Sequence, residues 1–81
     1  MDLTFALERK MKKVAINTEY LTLGQFLKVG GIIQTGGEAK SFLRETEVIV
    51  NSERDSRRGR KLYDGDIVEI RGEQYRIVHE D

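Results

Sequence analysis

The chain has 81 residues, with 14 Lys and Arg balanced by 14 Asp and Glu, 38% apolar residues, and neither cysteine nor proline. That length allows one small domain, the missing cysteine excludes a disulfide framework and a Cys-based zinc site, and zero net charge argues against a uniformly basic nucleic-acid binder. No run approaches the ~18 apolar residues of a membrane helix, and Glu8, Arg9 and Lys10 interrupt the first apolar residues too early for a signal peptide, so a cytoplasmic protein with no membrane partner is expected.

In chain order, residues 1–13 form an N-terminal extension with Leu3, Ala6 and Leu7 at helical spacing, followed by Arg9, Lys10, Lys12 and Lys13. They read as a short helix or a loose arm, with Met11 an alternative start, and the domain proper spans residues 14–81. Such a basic terminal run is generally a solvated tail. Val14–Asn17 reads as a short strand at a sheet edge. Thr22 and Gln25 make a capping box, Leu23, Phe26 and Leu27 follow at i, i+3, i+4, and Gly30 sits where a helix-ending glycine belongs. Two turns of helix are not stable alone. A second helix must pack on this one, and Ile32 and Ile33 anchor the connection between them.

That second helix is predicted to start at Thr35, where Thr35 and Glu38 repeat the capping-box signature. Ala39, Phe42 and Leu43 give it an apolar face, while Gly37, Lys40 and Arg44 lie within about 60° of one another on a different face. Gly36 and Gly37 leave the first N–H groups open to an anion, or else permit close helix packing. Glu47–Asn51 reads as a β-branched strand, Ser52–Arg60 as a long polar loop, and Asp64-Gly65 as a turn. Ile67–Ile70 and Tyr75–Val78 read as strands joined through Arg71–Gln74 as a hairpin. The predicted fold is α+β, two short helices packed on a small, mostly antiparallel β-sheet.

The charge distribution is uneven. Arg54, Arg57, Arg58, Arg60 and Lys61 crowd into one segment against only Glu53 and Asp55, whereas the chain from Asp64 onward is acidic. Arginine suits phosphate because its planar fork binds bidentately and stacks on bases. Neutralising about five phosphates gives a slope of log K against log salt of roughly −3 to −4. Lys40 and Arg44 extend this cationic set, and Tyr63 either stacks on a base or caps the core. Tyr20 and His79 carry no motif, and a lone histidine near a terminus is commonly surface decoration. One histidine and no cysteine exclude most nucleophile–base and metal constellations. Asp64 and Asp66 flank a turn, and Gly36-Gly37 lacks the lysine–serine pair of a phosphate-binding loop. A non-enzyme with no cofactor, no metal and no small-molecule substrate is expected.

The stretches TLGQFLKVGGIIQTGGEAKSFLRETEVIVN and RRGRKLYDGDIVEI together resemble the S4-like (αL motif) RNA-binding domain, named after the fourth protein of the small ribosomal subunit. The resemblance rests on Leu27, Glu38-Ala39, Val48-Ile49-Val50-Asn51 and Gly65-Asp66, and covers residues 16 to 78. The chain is similar in particular to the small stand-alone bacterial members of YaaA type, linked to ribosome maturation. Family members often carry an arginine at each helix start; here Thr22-Leu23-Gly24 and Thr35-Gly36-Gly37 stand instead. The resemblance implies binding of structured ribosomal RNA through phosphates and shape during subunit assembly, and a monomer is the default expectation. The residues expected to carry contact are Thr35, Gly36, Gly37, Lys40, Arg44, Arg54, Arg57, Arg58, Arg60 and Lys61, gathered on one side of the body. The alternatives are a protein-interaction module using the edge strand Val14–Asn17 or the terminal hairpin, and a binder of tRNA or another structured RNA.

Overall fold

In the computed structural model, which describes residues 11–80, strand β1 runs over Lys12–Ile16 and buries Val14 and Ile16 on one face. It starts two residues ahead of the predicted strand and stops before Asn17. The helix or arm expected over residues 1–10 lies outside the described residues. Next come β2 (Tyr20–Thr22), helix α1 (Leu23–Val29), a 3-10 turn (Gly36–Glu38), helix α2 (Ala39–Glu45) and β3 (Val48–Val50). The chain then continues through β4 (Glu53–Arg54), β5 (Lys61–Tyr63), β6 (Ile67–Ile70) and β7 (Glu73–His79).

Five strands form one sheet in the order β1-β7-β6-β3-β4, while β2 and β5 pair as a separate antiparallel ribbon. Every pairing is antiparallel except β1 with β7, where Val14 lies opposite Ile77. This is an α+β fold. β1 occupies an edge, as its short predicted strand suggested. The terminal hairpin does not, because β7 is bonded to β1 on one side and β6 on the other, so strand addition there is closed.

Helix α1 forms as its sequence dictates. Thr22 Oγ1 accepts from the Gln25 N–H at 3.2 Å, and Gln25 Oε1 accepts from the Thr22 N–H at 2.9 Å, completing the capping box. Leu23, Phe26 and Leu27 are fully buried. At the other end the left-handed residue is Gly31 (φ +75°), one position beyond the predicted Gly30. The Ile32 N–H reaches back to the Leu27 carbonyl at 2.9 Å and the Gly31 N–H to that of Lys28 at 3.1 Å, a Schellman ending. Ile33 then enters the core.

Helix α2 departs from expectation at its start. Thr35 does not cap it; the hydroxyl instead donates to the Glu38 carboxylate at 3.2 Å, and the chain passes through a 3-10 turn before the α-helix begins at Ala39. Two adjacent glycines lower the helical preference of the first turn, so the tighter geometry prevails. Ala39 and Leu43 are buried and Phe42 half-buried, with the Arg71 guanidinium 5.2 Å from the Phe42 ring centre.

Two tight hairpins replace longer predicted connections. Arg71 and Gly72, both at positive φ, make a two-residue turn, so β7 begins at Glu73. Asn51 and Ser52 (φ 50° and 72°) do the same between β3 and β4, so the expected long loop from Ser52 opens with a strand. The Asp64-Gly65 turn stands as predicted, with Gly65 at φ +90° and the Asp66 N–H donating to the Tyr63 carbonyl at 3.0 Å. The core between helices and sheet centres on Phe26, whose ring meets Tyr75 edge-on at 5.4 Å.

Candidate nucleic-acid interface

The arginine-rich segment is held by a carboxylate. Beyond β4, the Asp55 N–H donates to the Val48 carbonyl at 2.9 Å, which turns the Asp55 side chain inward until it is only 5% exposed. Its carboxylate accepts from Arg57 Nε at 3.0 Å, Arg57 Nη2 at 2.7 Å, the Arg57 backbone N–H at 2.9 Å and Arg60 Nη1 at 2.8 Å. The Arg57 side chain is the chief reason the Asp55 carboxyl lies well below the usual carboxylate range; burial opposes this, and the Arg57 backbone and Arg60 reinforce it. The Arg60 N–H closes the turn on the Arg57 carbonyl at 3.2 Å.

This turn in turn caps helix α1. A helix leaves its first backbone donors without internal partners. Here the Leu23 N–H donates to the Arg60 carbonyl at 2.7 Å, the Gly24 N–H to the Arg58 carbonyl at 3.0 Å, and the Gln25 N–H to the Thr22 hydroxyl. The approach is close but leaves room for a Cβ. A Cβ on Gly24 would stand 3.5 Å from the Arg58 oxygen, 3.7 Å from the Arg58 Cβ and 3.7 Å from the Ala39 Cβ. The arginine segment therefore lies against the start of α1 and beside the first residue of α2.

Two open grooves flank it. Lys40, Arg44 and Arg54 line the first, between α2 and β4, together with Asp55 and Ser56. Arg57, Arg60 and Lys61 line the second, with Gly59 and Tyr63. Arg54 is ion-paired to Glu47 at 2.7 Å, whereas Lys40, Arg44, Arg58 and Lys61 make no ion pair among the described residues. Thr35, Gly36 and Gly37 are exposed and line neither groove. Among the described residues nothing lies within 4 Å of a Cβ built on Gly36 or Gly37, so close packing of the two helices is not the reason for those glycines.

The family model described as the S4 domain matches residues 14–78. The chain belongs to the S4 domain family. It is also similar to the probable ribosome maturation protein RlbA of Bacillus subtilis (strain 168), at 64% identity over 59 residues, or 73% of this chain and 83% of that protein.

Within this S4 domain, the residues that carried the resemblance have structural work. Asn51, in the left-handed region, accepts from the Ile67 N–H at 2.9 Å through its side-chain oxygen and donates to Asp66 at 3.1 Å. The other Asp66 oxygen accepts from the Tyr63 N–H at 2.8 Å. One clasp thus ties the end of β3 to the turn between β5 and β6, which delivers the basic segment back to the body.

Three residues that shape this site in the S4 domain stood out little in the sequence. Asp55 counted only as a charge against the arginines, although a carboxylate two and five positions ahead of arginines in a loop is placed to bind both. Gly24 carried a weaker signal, since glycine inside a short helix is costly and often marks a backbone approach, although here the distances leave room for a Cβ. Tyr20 carried none, because its partner is fixed by the β2–β5 register: the two tyrosines lie directly opposite, ring centres 5.8 Å apart.

Proposed function

We propose that this S4 domain binds structured ribosomal RNA through phosphates during ribosome maturation, as a non-catalytic factor. The observation that carries the reading is the backbone docking of the Arg57–Arg60 turn on helix α1, which brings the cations of a distant segment beside those of α2. Lys40 and Arg44 on α2, with Arg54 across the groove, form one bank; Lys61, with the Asp55-held pair Arg57 and Arg60, forms the other, and Arg58, which lines neither groove, lies against Gly24. Prior fixing of Arg57 by Asp55 reduces the rotamer entropy lost when its fork meets a phosphate. The name of the Bacillus subtilis relative supports the ribosomal context.

Ultraviolet crosslinking of the protein to ribosomal subunits or their RNA, followed by peptide mapping, tests the reading. Crosslinks are expected on the segment from Lys40 to Lys61. Crosslinks confined to the β1 edge or the Arg71-Gly72 turn would contradict it. A protein partner captured along β1 with no RNA attached would favour strand addition at that edge instead.

A further inference from the structure

Tyr20 and Tyr63 are 38% and 43% exposed, standing side by side on the β2–β5 ribbon with rings inclined at 49°. A cross-strand aromatic pair adds stability to a two-stranded ribbon, but the ribbon already buries Leu21 and Leu62 on its other face. What distinguishes the tyrosines is their surroundings. Lys61 Nζ sits over the Tyr20 ring, 4.8 Å from its centre, covering that face with a cation. Tyr63 is the aromatic wall of the groove whose other walls are Arg57, Arg60 and Lys61. Gly59 completes that groove, and among the described residues nothing lies within 4 Å of a Cβ built there. A flat apolar surface beside Lys61, which makes no ion pair among the described residues, and beside Arg57 and Arg60, which share the one Asp55 carboxylate, matches the two halves of a nucleotide: a ring system to stack and a phosphate to neutralise.

We infer that the Tyr63 side of this ribbon is a stacking site for an unpaired nucleobase, with Tyr20 buttressing the ring and Arg57 and Lys61 facing the attached phosphate. The inference rests on the RNA-binding reading above and adds to it: phosphate contacts alone do not distinguish paired from unpaired RNA, whereas a stacking site does. A base within a duplex has both faces occupied by its neighbours, so only a loop, bulge or unpaired overhang can supply it.

The test compares two RNAs, a stem-loop with unpaired adenines and a blunt duplex of equal phosphate count, binding to wild type, Tyr63→Leu, Tyr63→Phe and Tyr20→Leu. Wild type is expected to prefer the stem-loop, and Tyr63→Leu to weaken stem-loop binding about tenfold while leaving duplex affinity and the salt slope unchanged. Tyr63→Phe keeps the ring and should bind as wild type, which separates lost stacking from lost folding. Tyr20→Leu should fall between. Equal binding of both RNAs by wild type, or equal losses on both RNAs in Tyr63→Leu, would overturn the stacking site and leave the phosphate reading standing. Failure of wild type to bind either RNA would remove the RNA reading and the stacking site with it.

Discussion

The amide of Gly24 donates to the carbonyl of Arg58, 3.0 Å away across 34 residues of chain, and this bond sets where the basic segment lies. The bond lets a loop serve as the cap of a helix and a helix serve as the seat of a loop. Because a Cβ at position 24 would meet Arg58 and Ala39 at ordinary contact distances, Gly24→Ala should be tolerated. Removing glycine's backbone entropy should then stabilise the domain by up to about 1 kcal/mol. Gly24→Val has no room for its branches and should lift the Arg57–Arg60 turn, lowering RNA affinity. Thermal melts and a binding isotherm on both variants check the pair. A destabilising alanine would show that the approach is tighter than these distances.

Asp55 is expected to make stability depend on pH. Its carboxyl, held mainly by Arg57, loses its proton more readily folded than unfolded. Its contribution is therefore fully present above the ordinary aspartate range near pH ~3.9 and is lost as pH falls through and below it. Asp55→Asn should cost about 1.5–3 kcal/mol at pH 7, the magnitude of hydrogen bonds to a charged group. Urea unfolding of wild type and variant at pH 7 and pH 3 should show the difference shrinking in acid. A difference that is independent of pH would mean that the charge on Asp55 is not what holds the turn.

The arginines should divide by role. Arg58 and Lys61 make no ion pair among the described residues, so Arg58→Ala should weaken RNA binding and reduce the salt slope by about 1 with no change in melting temperature. Arg60 is three-quarters buried at its side chain and bonded to Asp55. Arg60→Ala should therefore lower stability by about 1 kcal/mol as well as affinity. Melting curves and binding isotherms on the two single variants distinguish these effects, and identical stabilities would contradict the structural role of Arg60.

The two capping-box signatures should behave differently. Thr22→Ala removes a bond that caps α1 and should cost about 1 kcal/mol, a fall of roughly 4–8 °C for a domain this small. Thr35→Ala removes only a hydroxyl bonded to an exposed carboxylate and should leave the melting temperature within about 2 °C of wild type. Equal losses would show that Thr35 caps α2 in solution.

Those two threonines also show what local sequence can and cannot specify. Both boxes set a threonine three positions ahead of a long polar acceptor, Gln25 in one and Glu38 in the other. At Thr22 the following Leu23-Gly24-Gln25 meets loop carbonyls and a buried face, so the box closes; at Thr35 two glycines follow and the chain tightens to a 3-10 turn. The apolar spacing of Leu23, Phe26 and Leu27, the Asp64-Gly65 turn and the α+β class were legible because each is decided within a few residues. The positions of Lys40, Arg44, Arg54 and the Arg57–Lys61 segment along the chain were legible as charge. Their division into two grooves was not, since it depends on Asp55 turning inward and on Gly24 admitting a backbone from far along the chain. The Arg71–Gln74 hairpin was read too long and the Asn51-Ser52 hairpin was read as a loop, because Asn51, Ser52, Arg71 and Gly72 all adopt positive φ and only one of the four is glycine.

The salt dependence of RNA binding tests the central claim most directly. With Lys40, Arg44, Arg58 and Lys61 each meeting a phosphate, log K should fall against log salt with a slope of about −3 in wild type. It should become much shallower when all four are changed to alanine, leaving only what Arg57 contributes, with the fold intact by circular dichroism. A wild-type affinity indifferent to salt, or a fourfold variant that keeps the wild-type slope, would contradict the assignment of this surface to RNA.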